Sequence, residues 1–326
     1  MHITHRGNTT FKMAHMTNPL ATPEQLYRRN SFSSLPQELR DVVFFATQCL
    51  TQAAGLLLQL PQSVTAQANV IIGRYWLVDS MMSNEFSDVS AAAVYLVAKL
   101  GPSPRSPRDV SNVFAYLLSP ISSLFRDTPP SNDPSSYYLS ESSYQSFHRR
   151  MLDLEARILY ALGFDTHVSL PHPLAVTYLQ AIEFLGHPKE KISPRVVQYL
   201  NTALLSPQLL YLTHQPNALA VAAIYNAARD VGAKMPECEW WEVFDVEREE
   251  LGFLVVGMRS LEGWTRKMRE DVPRLKEGMV TKSVIEEEMT RRGLFVGNGS
   301  GNGFADEEAE MMRKMDERIA QMEASA

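Results

Sequence analysis

Two charged residues sit where their chemistry has to be answered by a neighbour. Glu155 lies beside the apolar series Met151, Leu154, Ile158 and Leu162, and Lys99 closes the alanine-rich run that starts at Ala91. A carboxylate next to a buried stripe is costly unless an opposite charge meets it, so a cation from an adjacent helix is expected. One reading makes the two an internal ion pair, or two ordinary edge charges. The other has both offering hydrogen-bonding ends to the backbone of a partner. On periodicity alone the first is preferred.

Other residues with reactive side chains do not assemble into a site. Gly297, Gly299, Gly301 and Gly303 follow no expected strand, precede the acidic stretch Asp306–Glu310, and lack a Lys-Ser/Thr pair, so they read as a linker and not as a phosphate loop. His2 and His5 have no second ligand pair, which leaves no metal site. His167 and His172 flank the middle of the chain without a nucleophile in motif context, and read as satisfied or exposed histidines. No HExxH, GxSxG or CxxC motif occurs. The expectation is a chain with no catalytic residues, no metal and no cofactor.

The totals narrow the class further. The 326 residues carry 31 basic and 37 acidic side chains, a net charge of −6, which argues against affinity built on phosphate neutralisation. The basic residues form no run with interleaved aromatics, so no direct nucleic-acid partner is expected. A hydrophobic fraction of 45% supports a real core. Cys49 and Cys238 read as two buried thiols in a reducing compartment. No apolar run approaches the roughly 18–20 residues that span a bilayer, so no membrane partner is expected.

Helices must position Lys99 and Glu155. Residues 1–33 are polar and unpatterned, and are expected to be a disordered extension. Order is expected from Ser34-Leu35-Pro36-Gln37, read as a hydroxyl cap with Gln three residues on. Leu39, Val42, Val43, Ala46, Cys49, Leu50, Ala53 and Leu57 then recur at helical spacing. A second helix is predicted over 64–82 and a third from a Ser87 cap to Lys99, with Gly101-Pro102 as stop. A fourth opens at Ser106-Pro107-Arg108-Asp109, and a fifth carries Tyr144 to Leu162 and ends at Gly163. Residues 119–142 form a Ser/Pro-rich surface loop. Further helices are predicted at 173–185, 194–205 (capped at Ser193-Pro194), 216–231 and 246–269, with a turn at Trp240–Phe244. No stretch alternates like a strand, so the fold class is all-α.

The third helices of the two halves echo each other. Ala92-Ala93-Val94-Tyr95-Leu96-Val97-Ala98-Lys99 is matched by Ala222-Ala223-Ile224-Tyr225-Asn226-Ala227-Ala228-Arg229, in register. A duplicated five-helix unit accounts for the match and for its place in each half.

The run Leu50-Thr51-Gln52-Ala53-Ala54-Gly55-Leu56-Leu57-Leu58-Gln59-Leu60-Pro61-Gln62 resembles the first helix of the cyclin box in cyclin L-type proteins. Pro104-Arg105-Ser106-Pro107-Arg108-Asp109-Val110-Ser111-Asn112-Val113-Phe114 resembles that family's Pro-Arg-x-x-Arg-Asp-Val-x-Asn-Val-Phe stretch. Leu154–Phe164 is similar to its fifth helix, His172-Pro173 with Tyr178-Leu179-Gln180 to the opening of its second box, and Trp240-Trp241 to a late aromatic pair. The likeness covers about residues 22–270.

The resemblance implies two tandem five-helix cyclin boxes, 34–166 and 167–270, between a disordered N-terminal extension and a charged, flexible tail, 271–326. A short amphipathic helix through Met311, Met312, Met315, Ile319 and Met322 is expected in that tail. It also implies a role: a non-enzymatic regulatory subunit that forms a heterodimer with a cyclin-dependent protein kinase. The kinase would be one acting in RNA polymerase II transcription or pre-mRNA splicing, in the nucleus. In cyclins a helix-three Lys and a helix-five Glu grip the kinase, which reverses the preference above. Lys99 and Glu155 match those positions, with Leu96, Leu100, Leu159 and Phe164 as the apolar kinase contacts. Gly101-Pro102 stands where the family usually has an acidic pair. The alternative is a transcription-factor-like helical adaptor that binds a promoter complex without a kinase.

Overall fold

A computed structural model of the chain describes residues 17–31, 33–119, 122, 138–184, 191–271 and 279–294. Every regular element among them is helical. The chain divides into two compact units after Thr281. The second holds the helix α12 (Lys282–Arg291), where Arg291 and Arg292 donate to the Glu288 carboxylate at 2.6–2.8 Å.

The first unit opens with α1 (Pro23–Ser31), inside the stretch expected to lack structure. Polar composition hid it, because α1 has no buried residue to generate a periodic signal. Its start is a capping box: Thr22 Oγ1 accepts from the Gln25 amide at 3.2 Å, and Gln25 Oε1 accepts from the Thr22 amide at 2.9 Å.

Five helices follow: α2 (Gln37–Leu57), α3 (Gln62–Tyr75), α4 (Phe86–Leu100), α5 (Pro107–Leu118) and α6 (Glu141–Ala161). α4 packs against the other four. It can be central because Ala91, Ala92, Ala93 and Ala98 have no exposed surface and let neighbouring helices close in. Burial of its larger residues, Phe86, Val94 and Leu96, contributes about 1.5–3 kcal/mol each. α2 and α3 also approach closely, since a Cβ at Gly55 would collide with Thr65.

The second half carries α7 (Pro171–Ala181), α8 (Ile192–Leu204), a single turn α9 (Leu210–Thr213), α10 (Pro216–Val231) and α11 (Arg248–Asp271). Here α10, the echo of α4, is the central helix and packs on α7, α8 and α11. Its Ala220, Ala222, Ala223, Ala227 and Ala228 are fully buried. In place of a fourth long helix there is a 3₁₀ turn, Glu242–Phe244. Phe244 stacks on Tyr178 at 4.0 Å and meets Trp240 edge-on.

Three expected caps are corrected. α2 starts after Pro36 with no side-chain cap, α4 starts at Phe86 after Glu85, and α8 starts at Ile192, which puts Ser193 inside its first turn. At α4 and α8 the buried Phe86 and Ile192 open the helix in place of the hydroxyl. The second helix ends at Tyr75 and not at Met82, because Asp79 draws the chain into a turn by accepting from the Tyr75 hydroxyl and the Ser80 amide. The Ser106 and Gly163 signals hold: Ser106 Oγ accepts from the Asp109 amide, and Gly163 is left-handed. Cys238 is exposed, against the expectation of two buried thiols; Cys49 keeps part of its residue surface in solvent while its thiol is shielded by burial. Most of the Ser/Pro-rich loop, His2, His5, the Gly linker and Met311–Met322 lie outside the described residues.

Candidate partner-binding site

Residues before Ser34 also tie the two halves together. Asn18, almost fully buried, donates from Nδ2 to the Ser169 carbonyl and accepts at Oδ1 from the Ser169 amide, both at 2.8 Å. Gln215 bonds both the Asn18 amide and its carbonyl at 3.0 Å, and Arg74 reaches Asn18 Oδ1 and the His167 carbonyl. The segment 17–22 therefore pins the connection between α6 and α7 against α3 and the start of α10.

On that frame α4 and α6 cross with an ion pair near each end. Asp88, in the first turn of α4, accepts from Arg150 at 2.8 Å. Lys99, in its last turn, pairs with Glu155. Acid at the N-terminus and base at the C-terminus of α4 both suit the helix dipole. The Lys99 ammonium also lies 5.2 Å from the centre of the Tyr95 ring.

The pair is asymmetric. The Glu155 side chain is 7% exposed and the Lys99 side chain 44%. Buried in α6, Glu155 is held in place; Lys99 reaches it from the rim and keeps donor capacity for a further acceptor. The expected internal pair is thus present, and it lies at the surface.

Around it the six expected contact residues take different places. Leu100 is 60% and Phe164 61% exposed, and Leu159 is partly buried. Leu96 is 1% exposed, because its position on α4 turns it into the core beneath this face. α6 ends with the Phe164 amide bonded to the Leu159 carbonyl, and Gly163 and Phe164 are both left-handed. That turn sets the Phe164 ring edge-on to Tyr160, 5.4 Å between centres, and Tyr160 is 73% exposed. Tyr160 is part of the apolar rim and was missed in the sequence. The aromatic pair four residues apart across a terminal Gly is the signal that marks it.

The loop from α4 to α5 is fastened too. Arg105 donates from Nε to the Leu58 carbonyl at 2.8 Å and from a terminal nitrogen to the Gln59 carbonyl at 3.0 Å, satisfying the end of α2. Arg108 pairs with Glu141 at 2.5 Å and lies over the Tyr144 ring. The two arginines of the Pro-Arg-x-x-Arg stretch thus join α5 to α2 and to α6.

His172 Nε2 faces Asn201 Oδ1 at 3.0 Å, and His167 Nε2 faces Ser169 Oγ at 3.1 Å. Among the described residues no cluster of three or more His, Cys, Asp or Glu could hold a metal, and no helix is long and apolar enough to cross a membrane.

No protein-family profile matches the chain. It is 32% identical to Cyclin-L2 of Mus musculus over 255 residues, 77% of this chain and 46% of that protein. It is 31% identical to Cyclin-L1 of Gallus gallus over 240 residues, 73% of this chain and 42% of that protein. The chain thus spans less than half the length of these curated relatives. Among solved structures, a chain of the yeast RNA Pol II CTD kinase CTDK-1 complex superimposes with a TM-score of 0.59 at 14% identity, covering 74% of this chain and 72% of that one. A chain of the CAK complex of Chaetomium thermophilum bound to ATP-gamma-S gives 0.55 at 14% identity, with 87% and 95% covered. At these identities the structural likeness is one of fold.

Proposed function

The chain belongs to the cyclin family and resembles its L-type members, and from that premise we propose that it is a regulatory subunit that binds and activates a cyclin-dependent protein kinase. The observation that carries the reading is the Lys99–Glu155 pair, anchored on the buried side and open on the other, inside a rim of exposed Leu100, Tyr160 and Phe164. A rigid apolar rim around a fixed ion pair suits capture of a partner helix and its terminal backbone groups. Kinases of this kind need their C-helix held so that its Glu pairs with the β3 Lys and phosphoryl transfer proceeds. Catalysis then resides in the kinase, and this chain supplies the surface that fixes the helix.

The first cyclin box is assigned to 34–166 and the second to 167–270. Our reading has the kinase act in RNA polymerase II transcription or pre-mRNA splicing, in the nucleus; the likeness to cyclin L proteins supports it. One solved neighbour comes from a complex named as an RNA Pol II CTD kinase, and another from a complex bound to ATP-gamma-S.

The test is co-purification of a kinase with Lys99→Glu and Glu155→Lys variants from native extract, read by mass spectrometry. Loss of the kinase from folded single variants is the expected result. Unchanged capture by folded variants overturns the proposed face.

A further inference from the structure

Between α4 and α5 the sequence repeats one tripeptide: Ser103-Pro104-Arg105-Ser106-Pro107-Arg108. A Ser-Pro step is the substrate of proline-directed protein kinases. The ring removes an amide N–H and holds the preceding residue in extended backbone, the form a substrate takes in a kinase groove.

Five Ser/Thr-Pro steps have both residues described, and four are poor acceptors. Ser206 is buried. Ser193 lies within α8. Thr22 and Ser106 cap α1 and α5 and accept a backbone N–H. Ser103 is the exception: it is partly exposed, caps no helix, and residues 101–106 are outside any helix. The Arg105 bonds to the Leu58 and Gln59 carbonyls hold that segment on the surface, four residues past Lys99.

We propose that Ser103 is a phosphoacceptor for a proline-directed kinase, and that its phosphorylation disrupts the Lys99–Glu155 face. In the transfer, Ser103 Oγ forms a bond to the γ-phosphorus of ATP while the bond from that phosphorus to the β–γ bridging oxygen breaks. The hydroxyl proton passes to the modifying kinase's catalytic carboxylate, and ADP departs. The product adds about −1.5 to −2 of charge and three acceptor oxygens. Of the two ion-pair partners only Lys99 is exposed enough to turn toward it. The ammonium is drawn from Glu155, leaving a buried carboxylate beside the rim and a new anion on the docking surface. Phosphate attachment stands apart from the proposed function; the loss of binding rests on it.

The test treats full-length protein with a recombinant mitogen-activated protein kinase, ATP and Mg²⁺, maps phosphate by mass spectrometry, and measures affinity for the kinase subunit captured as described above. Expected are phosphate on Ser103 that Ser103→Ala removes and Ser106→Ala does not, and binding about tenfold or more weaker for treated wild type but unchanged for treated Ser103→Ala. No phosphate on Ser103, or phosphate there with affinity unchanged, overturns the inference. If untreated chain captures no kinase, the proposed function fails, while the phosphate map still decides Ser103.

Discussion

Glu155 is buried and fixed by α6, whereas Lys99, its ion-pair partner on α4, has nearly half of its side chain in solvent. Removing either charge therefore has unequal consequences. Lys99→Ala strands a buried carboxylate and should destabilise the fold by about 1–3 kcal/mol. Lys99→Met combined with Glu155→Met removes both charges and should recover part of that loss without recovering kinase capture. Urea titration of the two singles and the double measures the coupling.

Leu100 and Phe164 separate binding from stability. Both are about 60% exposed, so Leu100→Asp and Phe164→Asp should change stability by no more than about 0.5–1 kcal/mol while kinase capture falls. Leu96→Asp buries a charge in the core and should prevent folding. Circular dichroism melts beside a pull-down distinguish the outcomes, and wild-type capture by folded Leu100→Asp and Phe164→Asp would remove those residues from the interface.

Asn18 is the least legible of the structural residues. Nothing in a polar, unpatterned terminus announces that one side chain will satisfy both backbone groups of Ser169, because those bonds depend on where the chain returns after 151 residues. Asn18→Ala leaves buried backbone groups and part of Arg74 unsatisfied, and should cost about 2–3 kcal/mol in urea unfolding. Deletion of residues 1–32 should exceed it.

His172 makes the fold sensitive to acid. Burial pushes its imidazole below the usual 6.5, against the Asn201 hydrogen bond, and burial depresses His214 likewise. The unfolded chain then binds these protons more readily than the folded one, so stability is full above pH 6.5 and falls as pH drops through and below it. His172→Gln should flatten that decline in urea midpoints measured between pH 8 and pH 5.5; an unchanged slope would remove His172 as a source.

Cys49 and Cys238 should react at very different rates. Burial pushes the Cys49 thiol up to about 12, with Arg269 opposing, while Cys238 is exposed. A thiol-disulfide reagent at neutral pH should label one thiol at once and Cys49 about a hundredfold or more slowly, with the two equal in denaturant. Fast labelling of both in native protein would contradict the buried thiol.

Residue type and spacing were enough to establish the helical class, the repeated Ala-Ala-x-Tyr-x-x-Ala-basic helices, the Ser106 cap and the Gly163 stop, since each depends on neighbours within one or two turns. Lys99 and Glu155 could be selected from the sequence, but periodicity alone left an internal pair and a partner-facing site as rival readings. Only packing decided that they are paired, with Glu155 inside and Lys99 at the rim, because the crossing of α4 and α6 is a property of the assembled core. Packing likewise turned Leu96 inward, lifted Tyr160 beside Phe164, and ordered α1 and Asn18. Those outcomes depend on contacts between residues far apart in sequence, which local patterns do not encode.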